Sequence, residues 1–531
     1  MAKRLIVRRN RYFDSVFLMQ VAHQLAGQPG IRDASAVMGT EANRKVLAEL
    51  GYGAGALAAE LSAAAPNDLV FALEGDEAAV QAVAADPDRW LSRSPQGAAP
   101  AGSAEEREPR SLEESLAMRP DATVAVISVP GQYAAREARA AITRGLSVFL
   151  FSSNVSVEDE LALKRQAREK GLVVMGPDCG TAYLGGAGIG FANAVRRGPI
   201  GIVGSTGTGI QELASLVHQA GSGISHGIGT GSRDLSDAIG GISTMTAIDA
   251  LDRDPGTKVV VLLSKPSGVE TTERVMRRLA ACGKPAVVCV LGARGAPAPA
   301  PGGRARYAST IDEAAVEALE AVGVKPPKSL LGNTVSMRAI AAAEVARMSP
   351  AQRYVRGVFA GGTFCYQTQA ILSEAGLHLY SNSPLPGMRE LDDPRVSHEH
   401  SMVDMGAEIF VEGRPHPMID ATLRKGRVAA EGRDPAVALL LLDFILGAIS
   451  SSNPVGDLID AISEAKAGAQ ARGGHLSVVA SVCGTSDDAQ GLEDQSRVLR
   501  DAGVLVFPSN AQAALFSREV ALLLAGRKEK G

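Results

Sequence analysis

Between Pro199 and Val217 the chain reads PIGIVGSTGTGIQELASLV: an apolar run, Ile200 to Val203, breaks into Gly204-Ser205-Thr206-Gly207-Thr208-Gly209, and an apolar-periodic segment follows at once. The order is strand, tight turn, helix, which commits this part of the chain to α/β architecture. Glycines let backbone approach a ligand closely, and hydroxyls fall where the first helical N–H groups lack partners. Such a helix start, with the positive end of its dipole, is an anion site. Ser205, Thr206, Gly207, Thr208 and Gly209 are therefore candidate phosphate-binding residues. Glu212, one turn further in, is a candidate catalytic carboxylate that can polarise a group or orient a base; a capping role fits it as well. No Lys follows the last glycine, so the turn is not a Walker A loop, and its spacing is not that of a dinucleotide fingerprint. An ordinary turn of small residues between strand and helix is the competing reading.

The pattern recurs. The strand 354-YVRGVFAG-361 meets Gly362-Thr363-Phe364-Cys365 and then a helix, Gln367–Glu374. Gly361, Gly362 and Thr363 are thus a second candidate phosphate turn. Cys365 can be a nucleophile at a helix start, where a thiol pKa falls, or a buried structural residue.

Strands alternate with helices from Thr123 onward: 123–129, 146–152 and 172–176 are separated by Tyr133–Thr143 and Glu160–Lys170. This alternation predicts a parallel sheet, whose ligands bind at the carboxyl ends of the strands. Pro130, Gly131, Pro177 and Cys179 fall at that edge; a nucleotide-type cofactor is expected there if one binds. Further strands are expected at 258–265 and 285–292, a flexible loop at 293–306, and a helix over 310–322. In the last third, 381–405 reads as irregular, Ile409–Val411 as an apolar run, and 438–447, 476–482 and 503–507 as strands. A closing helix within 509–525 is capped by Ser509-Asn510.

Residues 4–90 alternate short strands and helices in the manner of a small ferredoxin-like α+β module. The stretch that follows, rich in Pro, Ser, Ala and charge, reads as a linker.

Composition narrows the function. The 531 residues carry a formal charge of −4, which argues against nonspecific nucleic-acid or membrane-surface binding, and aromatics at 4% give no stacking platform. Five scattered cysteines without a CxxC support neither a disulfide framework nor a zinc knuckle. Neither a signal peptide nor a membrane-length apolar run is present, so a cytosolic location is expected. His398-Glu399-His400 with Asp404 has a spacing able to ligate metal on a strand, but no third ligand is clear, and loop polarity is the better reading. In Arg414-Pro415-His416-Pro417, Arg414 can fork onto a carboxylate, His416 can serve as acid or base, and Asp420 can orient either.

Residues 120–525 resemble the acyl-CoA synthetases related to succinyl-CoA synthetase, and more closely the FdrA proteins. Val129-Pro130-Gly131 and Gly176-Pro177-Asp178-Cys179 look like the CoA-binding domain of the synthetase α subunit. Gly201 through Thr208 and on to Glu212 looks like the α-subunit ligase domain, and the block from Gly361-Gly362-Thr363 like the β-subunit ligase domain. The resemblance implies a Rossmann-like CoA-binding-type domain (120–196) and two flavodoxin-like ligase domains (197–330 and 350–527). These follow the α+β module (1–91) and linker (92–119). It also implies two helix starts facing one phosphate.

The chain departs from that family in one place that bears on chemistry. The synthetases carry phosphate on a histidine after the strand matched by 285–292, and between Lys284 and Asp312 this sequence has no His. No ATP-grasp domain or P-loop is evident either. The FdrA resemblance implies oxamate carbamoyltransferase, which interconverts oxalurate plus phosphate with oxamate plus carbamoyl phosphate in anaerobic allantoin breakdown. It works with partner subunits, so an oligomer is expected. Phosphorolysis requires no cofactor; CoA is possible. The alternatives are an acyl-CoA synthetase subunit using CoA and acyl phosphate, and a non-catalytic scaffold.

Overall fold

The computed structural model describes residues 2–13, 15–91, 109–265, 268–292, 305–330, 332, 334–412 and 414–528. The chain divides into two compact units: Met1–Ala122 with Glu408–Asp420, and Thr123–Ala407 with Ala421–Gly531.

The first unit opens with β1 (Ala2–Arg8), α1 (Ser15–Ala26), β2 (Ile31–Met38) and α2 (Glu41–Leu47). It continues with α3 (Gly55–Ser62), β3 (Leu69–Gly75), α4 (Glu77–Ala85) and α5 (Leu112–Met118). The strands form an antiparallel sheet in the order β1-β3-β2. Strand periodicity sorts β3 onto two cores. Leu69, Phe71 and Leu73 pack with Leu18, Val21 and Trp90, while Val70 and Ala72 pack with Leu47, Tyr52 and Leu61. The ferredoxin-like expectation thus meets a three-stranded sheet among the described residues. Residues 92–108 of the expected linker lie outside the described residues. Its end, Leu112–Met118, is helical instead, because Ser111 Oγ accepts from Glu114 N at 3.2 Å while Glu114 reaches back to Arg110 N at 2.8 Å.

The second unit holds three sheets. The smallest comprises β4 (Val124–Ile127), β5 (Ser147–Leu150) and β6 (Val174–Met175), all parallel, with α6 (Gly131–Thr143) and α7 (Val157–Glu169) between them. A hairpin, β7 (Thr181–Leu184) and β8 (Ala187–Gly190), follows. Although the sequence reading assigned this segment to the Rossmann-like part, β7 pairs with β10 of the next sheet.

That sheet is built from β9 (Arg197–Gly204), α8 (Gly207–Gln219), β10 (Ile224–Gly229), α9 (Ile242–Arg253), β11 (Val259–Ser264) and α10 (Val269–Ala280). It ends with β12 (Ala286–Val290), β13 (Ala305–Ala308) and α11 (Ile311–Ala321). The order is β13-β12-β11-β9-β10-β7-β8. The expected loop at 293–306 lies outside the described residues up to 304, and Ala305 begins a strand rather than ending that loop. Every residue of β11 is buried, as a parallel strand covered on both faces requires. Val259, Val261 and Leu263 face α8 and α11, and Val260 and Leu262 face α9 and α10.

After α12 (Thr334–Ala346) comes the third sheet: β14 (Tyr354–Phe359), α13 (Gly362–Ser373), β15 (Leu379–Ser381), β16 (Arg389–Glu390) and β17 (His400–Asp404). The chain then makes α14 (Glu408–Val411), which belongs to the first unit and contains the apolar run Ile409–Val411. Back in the second unit follow α15 (Thr422–Arg433), β18 (Val437–Ile445), α16 (Gly456–Ala471), β19 (Ser477–Cys483), α17 (Leu492–Asp501), β20 (Leu505–Phe507) and α18 (Asn510–Lys528). The order is β16-β15-β17-β14-β18-β19-β20, parallel throughout. Segment 381–405, read as irregular, supplies two short strands, β16 and β17, and the last residue of β15. Segment 408–420, read as part of the last domain, groups with the first unit.

Candidate active site

In the sheet of β14 the first strand is central and later strands are added on either side. In the sheet of β9 the same holds for its parallel strands, the earlier hairpin β7-β8 lying at one edge, so each order reverses next to β9 in one and next to β14 in the other. Ligands bind at such points. β9 runs into Ser205-Thr206 and α8, and β14 runs through Ala360-Gly361 into α13, which starts at Gly362, five residues earlier than expected.

The two helix starts touch. Thr206 caps α8, its hydroxyl accepting from Gly209 N at 3.4 Å, and the same hydroxyl is hydrogen-bonded to Thr363 Oγ1. Thr208 Oγ1 donates to Thr363 Oγ1 at 2.8 Å. Four N–H groups at a helix start have no intrahelical acceptor. With Gly209 served by Thr206, Gly207 and Thr208 present theirs at the junction.

The start of α13 is arranged around two carboxylates. Asp443 of β18 accepts from Ala360 N at 2.8 Å and Gly361 N at 2.7 Å, and Arg424 of α15 donates to its Oδ1 at 2.8 Å. Burial pushes the Asp443 pKa up and that of Arg424 down, each opposed by the other's charge. Asp404, at the end of β17, lies against Gly362: a Cβ there would meet Asp404 Oδ2 at 2.6 Å, so a larger residue would have to displace the carboxylate. Burial raises the Asp404 carboxyl to about 6, against the pull of Lys265 and a hydrogen bond from Gly406 N.

Lys265 follows β11, the neighbour of β9, and its ammonium sits 4.4 Å from the centre of the Tyr366 ring. With Ser205, Ser264, Ser232, Arg233 and Ser236 it lines a cavity of about 280 Å³. Ser205 Oγ and Ser264 Oγ are 3.1 Å apart, and Ser264 donates to Lys265 O at 2.6 Å. Arg233 is fixed by Glu160 Oε2 at 3.0 Å and Val155 O at 2.6 Å. Lys164, fully buried, ties the same loop down through Glu160 at 2.7 Å, Asp234 at 2.8 Å and Thr230 O at 3.0 Å. Lys265 had a sequence signal that went unused: a lysine ending the apolar run 258–265 stands at the carboxyl edge of a sheet.

Glu212 is buried away from the turn's tip. Its Oε1 accepts from Asn510 N at 3.0 Å, so it caps α18, and Asp312 holds the cap residue Ser509 at 2.6 Å. Burial raises Glu212 to about 7 and Asp312 to about 6, and each cap hydrogen bond offsets part of that.

The remaining sequence candidates are dispersed. Pro130 caps α6, and a Cβ on Gly131 would meet Ser153 O at 2.3 Å, so that glycine serves the chain's own close packing. Pro177 and Cys179 are buried, and burial pushes the Cys179 thiol up to about 12. Cys365 is also buried, its thiol raised by desolvation and approached by Gln369 Nε2 at 3.4 Å, an environment opposite to that of an activated nucleophile. His398 packs edge-on to Tyr380, and His400 Nδ1 accepts from Val355 N at 3.1 Å. No group of three or more His, Cys, Asp or Glu able to hold a metal occurs among the described residues. Arg414, His416 and Asp420 belong to the first unit, not to the one carrying the paired turns. There Arg414 Nη2 lies 4.0 Å from Glu49, and His416 Nδ1 accepts from Met418 N at 3.2 Å.

Comparison with known proteins agrees with this architecture. A family model described as CoA-ligase matches residues 358–520, and one described as AllF, heavy metal-associated domain, matches residues 1–109. The α subunit of ADP-forming succinate–CoA ligase from Methanothermobacter thermautotrophicus is 30% identical over 213 residues, 38% of this chain and 70% of that protein. The ATP citrate lyase of Methanothrix soehngenii, solved with citrate and coenzyme A, aligns over 79% of this chain and 85% of its own at 14% identity, with a TM-score of 0.34. The match to the CoA-ligase family model and the identity to the succinate–CoA ligase α subunit make this a protein of CoA-ligase type. An uncharacterized protein of Escherichia coli, YahF, is 43% identical over 523 residues, 98% of both chains. The chain belongs to the succinate–CoA ligase-like family that includes YahF.

Residues 1–109 contain no cysteine and one histidine, His23, so they offer no thiolate pair for a soft metal ion. No helix among the described residues is long and apolar enough to cross a membrane.

Proposed function

We propose that the second unit carries out phosphate-dependent acyl transfer of the oxamate carbamoyltransferase type. Phosphate, or the phosphoryl end of carbamoyl phosphate, is held where α8 and α13 meet. A phosphate oxygen attacks the carbamoyl carbon of oxalurate, the bond to the oxamate nitrogen breaks, and that nitrogen takes up a proton. The reverse reaction returns the carbamoyl group to oxamate. We assign the proton to Asp404, whose carboxyl burial raises to about 6 beside the α13 start. The observation that carries this reading is the junction of Thr206, Thr208 and Thr363: two helix dipoles aimed at one point favour an anion more than either alone. With no histidine between Lys284 and Asp312 to carry phosphate, the anion acts here as a free reactant. Partner subunits complete the enzyme in this reading.

A second reading, a succinyl-CoA synthetase-like subunit that passes an acyl group between acyl phosphate and CoA, is favoured by the 30% identity to the α subunit. Calorimetric titration of the chain with phosphate, carbamoyl phosphate and CoA separates the two. Phosphate or carbamoyl phosphate binding that Thr208→Val removes, with CoA silent, is the expected result. CoA binding near Pro130 and Pro177, with turnover of an acyl phosphate, would overturn it in favour of the ligase.

A further inference from the structure

We infer that the cavity beside Ser205 is a carboxylate pocket for the acyl acceptor, a small organic acid or acid amide, with Lys265 as its counter-charge. This rests on the phosphate-transfer reading and names what receives the carbamoyl group from carbamoyl phosphate.

Position comes first. β9 and β11 are paired in register, Leu263 opposite Gly204, and Ser205 N donates to Leu263 O at 3.2 Å. Ser205 and Lys265 therefore leave the same sheet edge side by side. An occupant held there lies one residue from Thr206 and the phosphate turn, the adjacency that transfer between two bound reactants requires.

Size comes next. At about 280 Å³ the cavity has room for a compact acid.

Charge decides the class. Arg233 is matched by Glu160, which is itself shared with Lys164. Lys265 instead makes no direct ion pair among the described residues and rests on an aromatic face. Asp178, exposed and hydrogen-bonded to Ser232, and Asp404 are the carboxylates that act on Lys265 through space. A ligand carboxylate beside Lys265 would meet a cation, with serine hydroxyls around it. The Lys164–Asp234 pair anchors the 230–236 wall of the pocket.

The test is calorimetric titration with oxamate, its neutral analogue oxamide, and inorganic phosphate, using the wild type, Lys265→Met and Lys265→Arg. Oxamate is expected to bind and oxamide to bind far more weakly. Lys265→Met should weaken oxamate by about 10- to 100-fold, the worth of a charge-assisted contact, and leave phosphate affinity within about twofold. Lys265→Arg should keep most of the oxamate affinity, and an unchanged melting temperature in both variants reports the fold. Oxamate binding that is absent from the wild type, unchanged in Lys265→Met, or matched by oxamide overturns the pocket. Loss of phosphate binding from the wild type would sink the transfer reading instead, so the two failures are distinct.

Discussion

The Thr208 hydroxyl donates to Thr363 Oγ1 at 2.8 Å, fastening the first turn of α8 to the first turn of α13 although the two helices pack on different sheets. Losing this bond should cost about 0.5–1.5 kcal/mol of stability, the usual net worth of one hydrogen bond. Thr208→Val keeps the shape and removes the donor. Thermal melting measures the stability, and phosphate titration should show the larger loss because the proposed anion site is the same junction.

Gly362→Ala is a stricter probe of the same place. Its methyl group would meet Asp404 Oδ2 at 2.6 Å, inside any tolerated contact, and must displace the carboxylate or the helix start. Overpacking of this kind costs about 1–3 kcal/mol. Turnover should vanish while the far-ultraviolet circular dichroism spectrum stays that of the wild type.

Glu212 makes stability depend on pH in a defined direction. Its carboxyl titrates at about 7 in the folded chain against an ordinary 4.5, because burial penalises the charge. Between those values the folded state binds more protons than the unfolded one, so stability falls as pH rises from about 4.5 to about 7 and stays low above. Asp312, raised in the same way, adds to the slope. Glu212→Gln keeps an acceptor for Asn510 N without a charge, so it should flatten the profile and be the more stable protein at pH 8. Urea unfolding at pH 5, 6, 7 and 8 checks this; parallel profiles would contradict it.

Arg424 and Asp443 are a buried ion pair whose acid also holds the backbone of Ala360 and Gly361. Arg424→Met leaves Asp443 charged and uncompensated, which should cost about 3–5 kcal/mol. Adding Asp443→Asn should recover part of that, as denaturant midpoints of the single and double variants would show.

All five cysteines are buried. Burial raises the thiols of Cys179, Cys289, Cys365 and Cys483, so none is a ready thiolate. A thiol reagent should label the native protein slowly and the denatured protein at five sites. Fast labelling of one native thiol would reopen a nucleophilic role for Cys365.

The sequence was most informative where local chemistry and topology agree. The turns at 204–209 and 361–363 combine an apolar strand, glycines and hydroxyls within a few residues, and each is a strand-to-helix corner in the fold. Asp404 and Lys265 were harder to read, because a single Asp or Lys at a strand end carries no period or motif. Their role arises only when β17 comes beside β14 and β11 beside β9. Glu212 misleads for the opposite reason: its spacing from the turn is that of a site residue, yet its partner is Asn510, 298 positions away. The dense run at 414–420 carries the residue types of a site but groups with a different unit, a placement that composition does not encode.

The chain leaves the second unit after Ala407 and rejoins it at Ala421, and the intervening residues, which group with the first unit, include the buried Phe410, Met418 and Ile419. The amino-terminal module is therefore completed by a strap from the far half of the polypeptide. A truncation at the 92–119 linker would not yield two intact halves: the module would lose its strap, and the remainder would carry that strap with its apolar side chains uncovered. A shortened version designed for expression should instead splice out 408–420 together with the module, or retain both.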